Sequence, residues 1–77
     1  MDQKLAIACQ KLQEQNSLSE TEHQIVSLLV QGHSPKDIAS LRERSIETVR
    51  TQIKHILQKT CAPRMNMVVA QVYALVE

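Results

Sequence analysis

Apolar residues recur along this chain at spacings of three and four, the period of helices buried on one side, and polar breaks divide the pattern into five stretches. Over residues 2–15, Leu5, Ala8, Cys9 and Leu12 draw one apolar stripe on a segment otherwise rich in Gln, Lys and Glu. A helix is predicted there, docked as an N-terminal extension. Asn16 and Ser17 break the pattern. Ser19-Glu20-Thr21-Glu22 has the form of a capping box, in which the Ser19 hydroxyl accepts from the Glu22 amide and the Glu22 carboxylate accepts from the Ser19 amide. The helix it opens is expected to bury Ile25, Val26, Leu28 and Leu29 and to stop at Gly32, which takes left-handed backbone at no steric cost.

Ser34-Pro35-Lys36-Asp37 repeats this logic, with a hydroxyl cap, proline at the first helical position and an acid in the electropositive first turn. The short helix that follows should turn Ile38, Ala39 and Leu41 inward and end at Arg42-Glu43-Arg44. Ser45 opens the next unit, where Ile46, Val49, Ile53, Ile56 and Leu57 fall within a sector of roughly 100°. The far side of this helix, residues 46–59, holds Glu47, Thr51, Lys54, His55 and Gln58, with Arg50 at the border. After Pro63 a last helix of about 12 residues carries Met65, Val68, Val69, Val72, Tyr73, Leu75 and Val76.

Composition narrows the class. The 77 residues suffice for one small domain, and a chain of this size hides only about 60% of the surface its unfolded form exposes. One Gly and two Pro leave few turns, and Tyr73 is the single aromatic, so an all-α fold with an aliphatic core is expected rather than a many-stranded sheet. The net charge of +1 conceals an asymmetry. Lys4 and Lys11 are outnumbered by Asp2, Glu14, Glu20 and Glu22 over residues 1–33. Over residues 34–64, Lys36, Arg42, Arg44, Arg50, Lys54, Lys59 and Arg64 outnumber Asp37, Glu43 and Glu47. A polyanion would therefore be drawn to one segment rather than to the whole surface.

Cys9 and Cys61 lack companions at metal-ligand spacing, and His23, His33 and His55 are not spaced as ligands, so neither a metal site nor a disulfide framework is signalled. No cofactor is indicated, and with one glycine there is no phosphate-cradling loop. No apolar run reaches the roughly 18 residues of a membrane span. The expectation is a cytoplasmic protein that is not an enzyme, with neither a membrane nor a small-molecule ligand among its partners.

Two short helices meeting through a tight turn, the second exposing Arg50, Thr51 and Lys54, have the geometry of a helix-turn-helix DNA reader. The reason is dimensional: a helix about 10–12 Å across fits a major groove about 12 Å wide. Arginine can then bond bidentately to guanine, lysine can donate to guanine or phosphate, and a threonine methyl can meet a thymine methyl. Alone, this spacing describes any solvated basic helix face as well.

A longer pattern is more specific. Leu18-Ser-Glu-Thr-Glu22, Ile25-Val26, Leu28-Leu29, Gly32, Ser34-Pro-Lys-Asp-Ile-Ala39, Ser45-x-x-Thr-Val49, Ile53, Ile56-Leu57 and Lys59 follow one another as in the LuxR-type (GerE-like) helix-turn-helix domain, which the chain resembles over about residues 17–72. The resemblance implies a four-helix domain at 17–77 preceded by the helical extension at 1–16. It also implies a bacterial transcription regulator that binds double-stranded DNA as a dimer through its last helix. Carried over by position, base contacts fall on Arg50, Thr51 and Lys54, and backbone contacts on Lys36, Ser45, Thr48 and Lys59. Ser45 and Thr48 would equally serve the helix start, the cap contributing about 1 kcal/mol. At the turn, Arg42-Glu43-Arg44 replaces the family's usual apolar-Gly-apolar run, and since Glu43 in left-handed backbone would cost about 1 kcal/mol, either the turn has a different geometry or Leu41 takes over some of the packing. The extra arginines could meet phosphates or pair with Glu43 and Glu47.

Met65, Val68, Val69, Val72, Tyr73 and Val76 give the last helix more apolar surface than a small core requires, which suggests a symmetric homodimer on an inverted repeat. The alternative use of that surface is packing against the extension. An alternative function is an interaction module that pairs with a full-length regulator and inhibits it.

Overall fold

The structure, a computed structural model, describes residues 1–77 and is entirely helical. Its elements are α1 (Gln3–Asn16), α2 (Glu20–Val30), α3 (Pro35–Leu41), α4 (Ile46–Thr60) and α5 (Met65–Ala74). The three inner helices begin on side-chain caps. Ser19 Oγ accepts from the Glu22 amide and the Glu22 carboxylate accepts from the Ser19 amide, a reciprocal pair repeated by Ser34 and Asp37 at α3. Ser45 Oγ accepts from the Thr48 amide at α4. Neither α1 nor α5 has a side-chain cap.

Helix ends are as regular. Ser17, Gly32, Glu43 and Cys61 all have positive φ, and each follows the last turn of a helix. At three of them the chain closes with the paired bonds of a Schellman motif: His33 N to Leu28 O with Gly32 N to Leu29 O, Arg44 N to Ala39 O with Glu43 N to Ser40 O, and Ala62 N to Leu57 O with Cys61 N to Gln58 O. Glycine occupies only one of these positions. The Glu43 and Cys61 side chains bear the left-handed backbone, each at about 1 kcal/mol.

All five helices feed one core. Ala8, Cys9 and Leu12 come from α1, Ile25, Val26, Leu29 and Val30 from α2, Ile38 and Ala39 from α3, Val49, Ile53 and Ile56 from α4, and Val68 and Val72 from α5. Leu28, Ile46 and Leu57 pack partly buried around it. Helices α3 and α4 lie against each other, while α5 packs against α1, α2 and α4, and α1 rests on α2 and α5. The extension is thus part of the core rather than an appendage.

Leu41 departs from expectation: it is 59% exposed. On a helix it sits about 110° from the middle of the Ile38–Ala39 face, too far round to reach the core. Packing at the turn is therefore not transferred to Leu41.

Candidate nucleic-acid interface

The angle between α3 and α4 is held by the Arg42–Ser45 connection, whose Schellman closure requires Glu43 at φ 54°. The geometry that an apolar-Gly-apolar run would favour is thus kept by a glutamate that bears the strain. Arg42 serves the scaffold. It is half-buried, and its guanidinium donates to the side-chain oxygen of Gln24, tying the end of α3 to α2. Arg44 remains exposed. Neither arginine forms an ion pair with Glu43 or Glu47, since the two ion pairs of the structure are Lys11–Glu77 and Lys59–Glu22.

Along α4, Val49, Ile53, Ile56 and Thr60 are buried, and Arg50, Thr51 and Lys54 are exposed on the opposite side. Helix α1 lies across α2 and α5 and leaves this face open. Arg50 also borders a groove of about 400 Å³ shared with Ser34, Pro35, Lys36 and Ile46, so Lys36 and Arg50 present their charges on one recess between α3 and α4. Just before α4 the chain turns on Ser45, whose hydroxyl lies 2.8 Å from that of Thr48 and accepts from the Thr48 amide at 3.1 Å. The capping role of these two residues is thus visible in the fold, and both remain exposed.

Lys59, expected to contact the DNA backbone, has a partner within the chain. Its Nζ lies 2.7 Å from Glu22 Oε1, so its charge is engaged by a carboxylate whose side chain is only 8% exposed. Burial by itself would raise the Glu22 pKa. The Lys59 ammonium and the Ser19 amide outweigh it, and the net effect holds the carboxyl below its ordinary value. The pair closes the end of α4 against the start of α2, a structural task. Sequence spacing gave no sign of it because 37 residues separate the partners.

The last helix also corrects the sequence reading. Val68 and Val72, expected at a dimer contact, are 1% and 0% exposed, being enclosed where α5 meets its neighbouring helices. Met65, Val69 and Val76 lie at the edge of the core, and of the six expected contact residues only Tyr73 is fully on the surface. The exposed side of α5 instead comprises Asn66, Met67, Ala70, Tyr73 and Ala74, a face without a charge. The apolar stripe of α1 was the signal for this, since it needed a partner.

Other chemistry finds no assembled site. No three His, Cys, Asp or Glu side chains converge as metal ligands, and no helix is long and apolar enough to cross a membrane. Burial raises the pKa of the Cys9 thiol, against a lowering hydrogen bond with Ser27, which keeps it an inert core group.

The profile of the GerE family, described as "Bacterial regulatory proteins, luxR family", matches residues 16–70, which span α2, α3, α4 and the first half of α5. No curated protein and no solved structure gives a match. With the match covering most of the chain, and with a capped α3–turn–α4 unit presenting an open basic face, the chain belongs to the luxR family of bacterial regulatory proteins and carries its DNA-binding helix-turn-helix domain.

Proposed function

We propose that this protein regulates transcription by inserting α4 into the major groove of specific DNA sites, with Arg50, Thr51 and Lys54 reading base edges. Lys36, Ser45 and Thr48 meet the phosphate backbone, the first beside the groove it shares with Arg50 and the other two at the α4 start, where helix amides also favour an anion. The observation that carries this reading is that the outward face of α4 is polar, basic and left open by the rest of the chain, although the first segment had an apolar stripe to bury.

Residues 17–77 form the reading domain, and the extension at 1–16 supports α5. Two copies join through the uncharged outer face of α5, where Ala70 and Ala74 allow close approach of the backbones between Met67 and Tyr73. A two-fold axis there would set the recognition helices roughly 34 Å apart on an inverted repeat.

Selection of bound sequences from random duplex DNA, followed by gel shift with Arg50→Ala and Lys54→Ala, tests the reading. A symmetric motif is expected, and Arg50→Ala should weaken its binding by about 1–3 kcal/mol and relax one position. Equal retention of every duplex by all three proteins would overturn it. Tight capture of a purified full-length regulator with no DNA retained at low salt would instead favour the interaction module.

A further inference from the structure

Glu47 carries the wrong sign for a surface that meets a polyanion. It is exposed in the first turn of α4 and belongs to neither ion pair of the structure. Around the helix axis it stands only about 20° from Lys54 and about 40° from Thr51. One to two turns nearer the N-terminus, its carboxylate lies on the ridge proposed above to read bases, in the part of the helix that enters a groove first. A first-turn acid suits the helix dipole. That benefit, however, is available anywhere in the turn and does not call for the outward ridge.

We infer, on the basis of the DNA-binding reading, that Glu47 is a specificity-determining residue that accepts a hydrogen bond from the N4 amino group of a cytosine. The chemistry of the major groove favours this base. Guanine offers O6 and N7, thymine offers O4, and adenine sets N7 beside its amino group, so each of these turns lone pairs toward a carboxylate. Cytosine alone presents its amino donor with no acceptor beside it on that edge. Opposite any other base the carboxylate is desolvated without a partner, and Glu47 therefore acts chiefly by rejecting wrong sites. The role also fits a chain whose net charge is only +1, because a reader of low charge gains discrimination by suppressing unspecific binding.

The test is selection from random duplex DNA with wild type, Glu47→Ala and Glu47→Gln, followed by titration of the selected site, its single-base variants and an unrelated duplex. The wild-type motif should contain one fixed cytosine per half-site, preferred about tenfold. In Glu47→Ala that position should become degenerate while the others persist, and affinity for the unrelated duplex should rise about threefold. Glu47→Gln should shift the position toward adenine, which glutamine contacts bidentately. A cytosine preference that survives in Glu47→Ala, or variants that melt earlier by circular dichroism with the motif unmoved, would overturn the assignment and leave the DNA reading standing. A wild type that selects no motif would overturn both.

Discussion

The two ends of this molecule are built on opposite terms. Helices α3 and α4 are held by local devices: hydroxyl caps at Ser34 and Ser45, a proline in the first turn, and Schellman closures at Glu43 and Cys61. Their outer surface is free to be polar. The terminal helices α1 and α5 have no side-chain caps and no charge complementary to the helix dipole in their end turns, and they are joined by burial and by the exposed Lys11–Glu77 pair. A helix that caps itself can present its open face to a ligand, whereas one without caps depends on its neighbours.

The comparison breaks most sharply on α5. Val72 is fully buried and Ala70 is exposed, two residues apart on one helix. Val72→Asp places an unpaired carboxylate in the core and should cost about 3–5 kcal/mol, enough to abolish cooperative thermal unfolding in a domain this small. Ala70→Glu should leave the melt within about 0.5 kcal/mol while converting dimers to monomers by light scattering and weakening operator binding in parallel. A stable, monomeric Val72→Asp protein would show that α5 does not depend on its buried side. A dimeric Ala70→Glu protein would remove the proposed seam.

This contrast also explains what the sequence could disclose. The starts of α2, α3 and α4 were legible because each cap lies three residues from its partner, as Ser19 does from Glu22. So was the outward face of α4, whose polar and apolar residues separate cleanly. On α5, Met65, Met67, Val68, Val69, Val72 and Tyr73, continued by Leu75 and Val76 just past its end, nearly encircle the helix, so periodicity could not choose a buried side and the docking of α1 decided it. Leu41 was misplaced because residue type suggested burial where its position around α3, about 110° from the middle of the Ile38–Ala39 face, forbids it. The Lys59–Glu22 pair went unread because its partners are remote in sequence.

Glu22 belongs to both modes, as local cap of α2 and as distant partner of Lys59. Its pKa in the fold is lowered from an ordinary value of 4.5, so the stabilisation it supplies is present above that value and is lost as pH falls through the lowered one. Glu22→Gln keeps a capping-box side chain and removes only the charge. With Lys59 42% exposed and its attraction screened accordingly, the loss at neutral pH should be about 1–2 kcal/mol. Thermal melts from pH 7 to pH 3 should show the two proteins converging at the acid end. Parallel curves would mean that the pair contributes nothing and that Glu22 acts as a local cap alone.

The smallest effect lies at the turn between the reading helices. Glu43 takes φ 54° with its side chain exposed, so its replacement loses no packing and no ion pair. Glycine would relieve the left-handed strain but add freedom to the unfolded chain, and the difference should leave Glu43→Gly more stable by about 0.5 kcal/mol. Gly32 supplies the converse. A methyl group there meets nothing within 4 Å, so Gly32→Ala should lose about 1 kcal/mol through its φ of 94° alone. If the local devices set the α3–α4 geometry, Glu43→Gly should also bind DNA as wild type does, because the closing bonds from the amides of residues 43 and 44 do not involve the side chain. A chemical denaturation midpoint that falls in Glu43→Gly would show that the glutamate is held by something other than backbone geometry, and the division between self-capped and mutually buried helices would then be less clean than its hydrogen bonds indicate.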